Sequence, residues 1–110
     1  MKAQGEASLV RAIQEYLTLK GCLVWRVNAG MVKVGNHLVR LAPPGVSDVI
    51  GIAPDGRFIA VEAKRKPNKP TAFQLKFLHD VKERGGFACV VYEIEELFDA
   101  WKGYNREADR

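Results

Sequence analysis

The chain is poor in the residues that build covalent or soft-metal frameworks. It has two cysteines, Cys22 and Cys89, and two histidines, His37 and His79, in 110 residues. Each cysteine lies inside an apolar run, Cys22-Leu23-Val24 and Ala88-Cys89-Val90-Val91. A disulfide framework or a cysteine zinc site needs more cysteines at tighter spacing, so two buried thiols in a reducing compartment are expected. The histidines have no ligand spacing and read as surface residues. No apolar stretch approaches the ~20 residues of a membrane helix. Met1 to Ser8 lacks an apolar signal-peptide core. These absences point to a cytoplasmic protein with no membrane partner. There is no internal repeat and no low-complexity tract. Charge of neither sign dominates: 17 Lys and Arg stand against 13 Asp and Glu, a formal +4, which leans toward an anionic partner. The length suits a single domain over residues 1–110 and leaves no room for a separate nucleotide-cofactor domain.

What is present reads as a mixed α/β pattern. Val10, Ile13 and Leu17 recur at helical spacing from about Gly5 to Lys20, and Gly21 is a stop. Glu6 extends that apolar stripe by one turn. A carboxylate there either complements the helix dipole or serves a site. Cys22 to Asn28 reads as a strand, with Leu23, Trp25 and Val27 on one face. Met31 to Leu41 reads as a hairpin about Gly35-Asn36. Asp48–Ala53 and Arg57–Lys64 are strands joined by Pro54-Asp55-Gly56. Thr71 and Gln74 fit a capping box opening a helix that stops at Gly85-Gly86. Phe87–Tyr92 is a strand apolar on both faces. Ile94–Trp101 is a last amphipathic helix, with Tyr104–Arg110 frayed beyond it. The expected architecture is one sheet flanked by helices, in the order α-β-β-β-β-β-α-β-α.

The hairpin about Pro54-Asp55-Gly56 carries the chemistry. A three-residue loop pairs Ala53 with Arg57, so opposed positions sum to 110 and Asp48 falls opposite Glu62. Opposed residues share a face at about 4.5–5.5 Å between Cβ atoms. Two carboxylates that close repel unless something positive intervenes, and they suit a hard divalent cation such as Mg²⁺ or Mn²⁺. Lys64 follows Glu62 by two residues and stands on the same face, where an ammonium orients a water or offsets developing charge. Metal-assisted phosphodiester hydrolysis is the reaction class. Taken alone, Glu62-Ala63-Lys64 reads as an ordinary ion pair at a strand end; the opposed Asp48 shifts the balance.

Gly45-Val46-Ser47-Asp48, 13 intervening residues, then Glu62-Ala63-Lys64 resembles the D…(D/E)-x-K signature of the PD-(D/E)XK nucleases. With a following helix that carries an early Gln, here Gln74, it resembles the VRR-Nuc group more narrowly, over Glu6 to about Tyr92. The resemblance implies a restriction-endonuclease-like mixed sheet flanked by helices. It implies that Asp48, Glu62 and the Ala63 carbonyl bind the metal, that Lys64 positions the attacking water, that Glu6 supports the metal site and that Gln74 lies near it. One departure is Ser47, where the superfamily often has Pro; that position supplies loop geometry. The capping box is a rival explanation for Gln74.

Arg65, Lys66 and Lys69 form a basic loop directly after the Glu-x-Lys strand, suited to a phosphate backbone, and Lys33 and Arg40 on the first hairpin extend that surface. The reading is a structure-selective DNA endonuclease for branched DNA, similar to Holliday-junction resolvases and acting as a homodimer, since one small domain has little surface for a branched substrate. Met31–Leu41, with Val32, Val34, Leu38 and Val39, is the candidate pairing surface. Two other readings fit: a flap or nicking nuclease in a phage or bacterial replication, repair or restriction assembly, and a non-catalytic nucleic-acid-binding module.

Overall fold

In the computed structural model, which describes residues 5–27 and 30–108 and, of residues 106–108, the backbone alone, helices flank both faces of a four-stranded sheet. The elements are α1 (Glu6–Leu19), β1 (Leu23–Arg26), β2 (Met31–Val34), β3 (His37–Arg40), β4 (Val49–Ile52), β5 (Phe58–Ala63), α2 (Ala72–Glu83), β6 (Phe87–Val91) and α3 (Ile94–Ala108). Their order is the expected one. The main sheet runs β1-β4-β5-β6, with β1, β4 and β5 antiparallel and β6 parallel to β5.

Alternation along β5 divides the core. Ile59, Val61 and Ala63 pack with Leu9, Val10, Ile13 and Leu17 of α1 and with Leu97 and Trp101 of α3. Ala60 packs on the other face with Leu78 and Val81 of α2 and with Ala88. β5 is covered on both faces and paired on both edges, so its side chains are held by packing. Each fully buried Val, Leu or Ile among them contributes roughly 1.5–3 kcal/mol.

The register matches the expectation: Val49 pairs with Val61, Ile50 with Ala60 and Gly51 with Ile59. The ladder continues past the strand ends, where Ala53 N–H donates to Arg57 O at 2.8 Å and Val27 N–H to Asp48 O at 2.8 Å. The proposed end of the first strand at Asn28 lies outside the described residues.

Two expectations are corrected. The β2–β3 hairpin does not join the main sheet; it pairs only with itself, as a separate two-stranded sheet. It is an excursion between β1 and β4, which pair with each other, and its four-residue strands reach neither free sheet edge. The last helix does not end at Trp101 but runs to Ala108. Its apolar stripe continues through Tyr104, which stacks against Phe87 and Trp101 at centroid distances of 5.1 and 5.4 Å. That aromatic packing outweighs the roughly 1 kcal/mol cost of Gly103 inside a helix.

Both cysteines are free, Cys22 buried and Cys89 half-buried. Burial pushes their thiols up to about 11 and about 12, so both stay protonated and unreactive at neutral pH. His37 and His79 are exposed.

Candidate active site

Asp48 immediately precedes β4 and Glu62 lies near the end of β5, and the register, continued one residue past Val49–Val61, places them opposite each other on the face that α2 covers. Asp48 is half-buried. Its Oδ2 accepts a 2.8 Å hydrogen bond from the Ala63 N–H, which ties the carboxylate to the strand that carries Glu62. Glu62 is only 2% exposed, and its Oε2 is buried with no hydrogen-bond partner.

Burial, first, and then the adjacent Asp48 carboxylate push the Glu62 carboxyl up to about 9, with Lys64 opposing the shift and Glu6 adding to it. Lys64 is half-buried, and its backbone N–H donates to Val91 O at 3.0 Å, so the strand pairing with β6 extends to the lysine. A buried carboxyl oxygen without a partner is costly. Two facing carboxylates and a carbonyl at Ala63 are the hard oxygen donors that a small divalent cation prefers, so the residues fit such an ion.

Glu6 occupies the first turn of α1, where its charge complements the helix dipole. It is exposed, and it lies close enough to Glu62 to push its titration upward. Among the described residues no group of three or more His, Cys, Asp and Glu side chains that could hold a metal ion comes together.

The approach loop is fitted to α2 by one residue. Gly45 has φ +83°, and a Cβ there would stand 2.3 Å from the Phe73 carbonyl oxygen and 3.0 Å from Gln74 N. Only glycine allows the loop so close to the helix start in that conformation. Ser47, two residues on, is 1% exposed, and its Oγ has no hydrogen-bond partner. Thr71 and Gln74 form the expected capping box: Thr71 Oγ1 accepts from Gln74 N at 3.1 Å and Gln74 Oε1 accepts from Thr71 N at 2.9 Å. The Gln74 carbonyl is therefore engaged by the helix start.

The loop after Lys64 is exposed at Arg65, Lys66 and Lys69. Tyr92, just past β6, holds it in place. Its hydroxyl donates to Asn68 O at 3.0 Å, and Lys66 Nζ lies 5.9 Å from its ring centroid. Sequence reasoning places Gly45 in the motif but misses its contact with α2, and it misses Tyr92 altogether. Both depend on contacts distant in the chain, Gly45 on Phe73 and Tyr92 on Asn68, 24 residues away. Lys33 and Arg40 are exposed on the β2–β3 hairpin and share one of its faces.

No family model matches the chain, and no curated protein matches it. Among solved structures, a chain described as a VRR_NUC domain matches with a TM-score of 0.63, over 90% of this chain and 96% of that one, at 22% identity. The chain thus has the mixed α/β fold of a VRR_NUC domain. Among the described residues, no helix is long and apolar enough to cross a membrane.

Proposed function

We propose that the chain is a divalent-metal-dependent, structure-selective DNA endonuclease that hydrolyses phosphodiester bonds, with branched DNA as substrate and a Holliday-junction resolvase acting as a homodimer as its specific form. The observation that carries this reading is the Glu62 carboxyl, 2% exposed, with Oε2 lacking a partner and Asp48 facing it. A binding module does not require a buried carboxyl group facing a second carboxylate. A phosphodiesterase does.

Asp48, Glu62 and the Ala63 carbonyl would hold Mg²⁺ or Mn²⁺. Such an ion, when bound, supplies a Lewis acid for the scissile phosphate and lowers the pKa of a water. The protein's own groups set the geometry. The Ala63 N–H fixes the Asp48 carboxylate, and core packing fixes Glu62. The Lys64 ammonium orients the attacking water and offsets negative charge that grows on the phosphate oxygens. Glu6 adds negative charge at the same end of the sheet. Arg65, Lys66 and Lys69 contact the DNA backbone, giving affinity without sequence preference. Lys33 and Arg40 extend that contact. Gln74, whose carbonyl serves the helix cap, offers its side-chain NH₂ to the DNA.

The test is incubation with a four-way junction, a flap and a linear duplex, with Mg²⁺ or Mn²⁺, for wild type and Glu62→Ala. The expected result is junction cleavage by wild type alone. Equal cleavage by Glu62→Ala, or none by wild type, would overturn the active-site assignment. Cleavage of flaps alone would overturn the resolvase form and leave the nuclease.

A further inference from the structure

Phe73 is the most exposed aromatic side chain of the described residues, at 66%, against 47% for Trp25 and 40% for Phe58. A lone exposed apolar side chain is ordinary on a protein surface; the position of this one singles it out. The parallel pairing of β5 with β6 makes α2 a crossover that starts at the Glu62–Lys64 end of the sheet. The Gly45 contact fixes that start: a Cβ on Gly45, three residues before Asp48, would stand 2.3 Å from the Phe73 carbonyl oxygen. Phe73 lies one turn before Phe77 on the same helix row. Phe77 packs edge-on against Phe58 at the start of β5, with ring centroids 6.4 Å apart. One turn nearer the carboxylates, the row meets no other ring of the described residues, and Phe73 projects into solvent.

The chain around that ring is cationic. From Lys64 to His79 it carries no Asp or Glu, and the exposed Lys69 precedes Phe73 by four residues. A phosphate backbone held on the Arg65–Lys69 loop would bring bases within reach of the ring. In a linear duplex every base has a stacking neighbour on each face, so an inserted ring must first unstack a step. At a branch the last base pair of an arm has an open face, and a ring stacks there without that cost. The contact is blind to sequence, because every base has a π-face. It reads branching alone.

We infer that Phe73 is the residue that selects branched over linear DNA, its ring stacking on the open base at the branch while the basic loop holds the adjoining phosphates. This role rests on the nuclease reading, which brings DNA to this end of the sheet, and deepens it by naming the feature that marks the substrate. Its readout is binding, not cleavage, so the two can fail separately. A chain that binds junctions through Phe73 and cuts nothing loses the nuclease reading alone; one that cuts junctions equally well without the ring loses this role alone.

The experiment is fluorescence anisotropy of the full chain with a labelled four-way junction and with a linear duplex of the same arm sequence, for wild type, Phe73→Ala and Phe73→Trp. It is run in Ca²⁺, on DNA checked to be uncut. Wild type should prefer the junction. Phe73→Ala should bind the junction roughly tenfold more weakly, the loss expected of one stacked base, and bind the duplex as wild type does. Phe73→Trp should keep junction binding. Its added indole should be quenched by the junction, beyond any change that Trp25 and Trp101 give in wild type, and not by the duplex. A wild type without junction preference overturns the proposal. So does a Phe73→Ala variant that binds the junction normally, or one that loses junction and duplex alike, which would make the ring a general DNA contact. Unquenched indole in Phe73→Trp overturns the stacking. The ring is in solvent, so Phe73→Ala should melt with wild type; a lower melting temperature beside weaker binding would make Phe73 a packing residue. A smaller particle mass for Phe73→Ala than for wild type, in sedimentation without DNA, would place the ring against a second copy. Either result also overturns the proposal.

Discussion

The Asp48 carboxylate accepts a 2.8 Å hydrogen bond from the Ala63 amide, one residue beyond the glutamate it faces. That bond joins the start of β4 to the end of β5 where strand pairing gives out. It engages Asp48 Oδ2 with the backbone of the strand that carries Glu62. That backbone donor ties Asp48 to the strand of Glu62, whose carboxyl burial pushes up to about 9.

Glu62 makes the metal-free protein less stable as pH rises. Its carboxyl titrates near 9 in the folded chain against an ordinary value of 4.5. The unfolded chain therefore loses this proton first. Stability from the protonated group is complete below about pH 4.5 and is lost progressively as pH rises toward 9. In EDTA, Glu62→Gln should remove this slope and raise the melting temperature at pH 8 by on the order of 10 °C. Melts of both proteins at pH 5, 7 and 9 check it; parallel curves would contradict the assignment.

Divalent cations should act in the opposite sense. Binding to the ionised carboxylates stabilises the folded state by mass action, by about 2.7 kcal/mol at a hundredfold excess over Kd. Mg²⁺ or Mn²⁺ should raise the wild-type melting temperature, more at pH 8 than at pH 6, because the ion competes with the Glu62 proton. Asp48→Asn and Glu62→Gln should both lose the response, and EDTA should restore the metal-free melt. An unchanged response in either variant would place the ion elsewhere.

The opposition of Asp48 and Glu62 was legible because a three-residue turn at Pro54-Asp55-Gly56 leaves one register that keeps the apolar residues of β5 alternating correctly. The capping box was legible because it is local. Other features depend on contacts distant in the chain. Turn chemistry at Gly35-Asn36 predicts a hairpin and cannot tell which sheet edge, if any, it meets. The polar run from Tyr104 reads as frayed until Phe87 is brought under Tyr104. Gly45 reads as a loop residue until Phe73 is placed against it.

Gly45→Ala tests that last contact. The added methyl would meet the Phe73 carbonyl at 2.3 Å, in a backbone conformation with φ +83°. Loop and helix would have to part, at a cost of roughly 1–3 kcal/mol. Urea unfolding should show that loss in midpoint. Cleavage under conditions where the variant stays folded should fall as well, since the same loop delivers Asp48. Wild-type stability would mean the loop yields freely.

The basic loop should show itself in the salt dependence of DNA binding. Each phosphate contact removed lowers the slope of log K against log salt by about 0.9 for duplex DNA. Lys66→Ala combined with Lys69→Ala should therefore lower it by nearly 2, with weaker binding to every sequence alike. Tyr92→Phe removes the hydroxyl that holds Asn68 O without removing charge. It should weaken binding a few-fold, leave the slope unchanged and cost about 1 kcal/mol of stability. Fluorescence anisotropy across a salt series separates the two effects.

Gln74 allows its two roles to be separated, because they use different atoms of one amide. Its Oε1 accepts from the Thr71 N–H, a task a glutamate performs equally well at the third position of a capping box. Its NH₂ is the group proposed to meet DNA, and a glutamate lacks it and carries a repelling charge instead. Gln74→Glu should leave thermal stability within about 0.5 kcal/mol of wild type and lower cleavage at least tenfold. Gln74→Ala should lower both, losing up to about 1 kcal/mol with the cap. If Gln74→Glu cuts as wild type does, the residue is a helix cap alone, and the active site is complete with Asp48, Glu62 and Lys64.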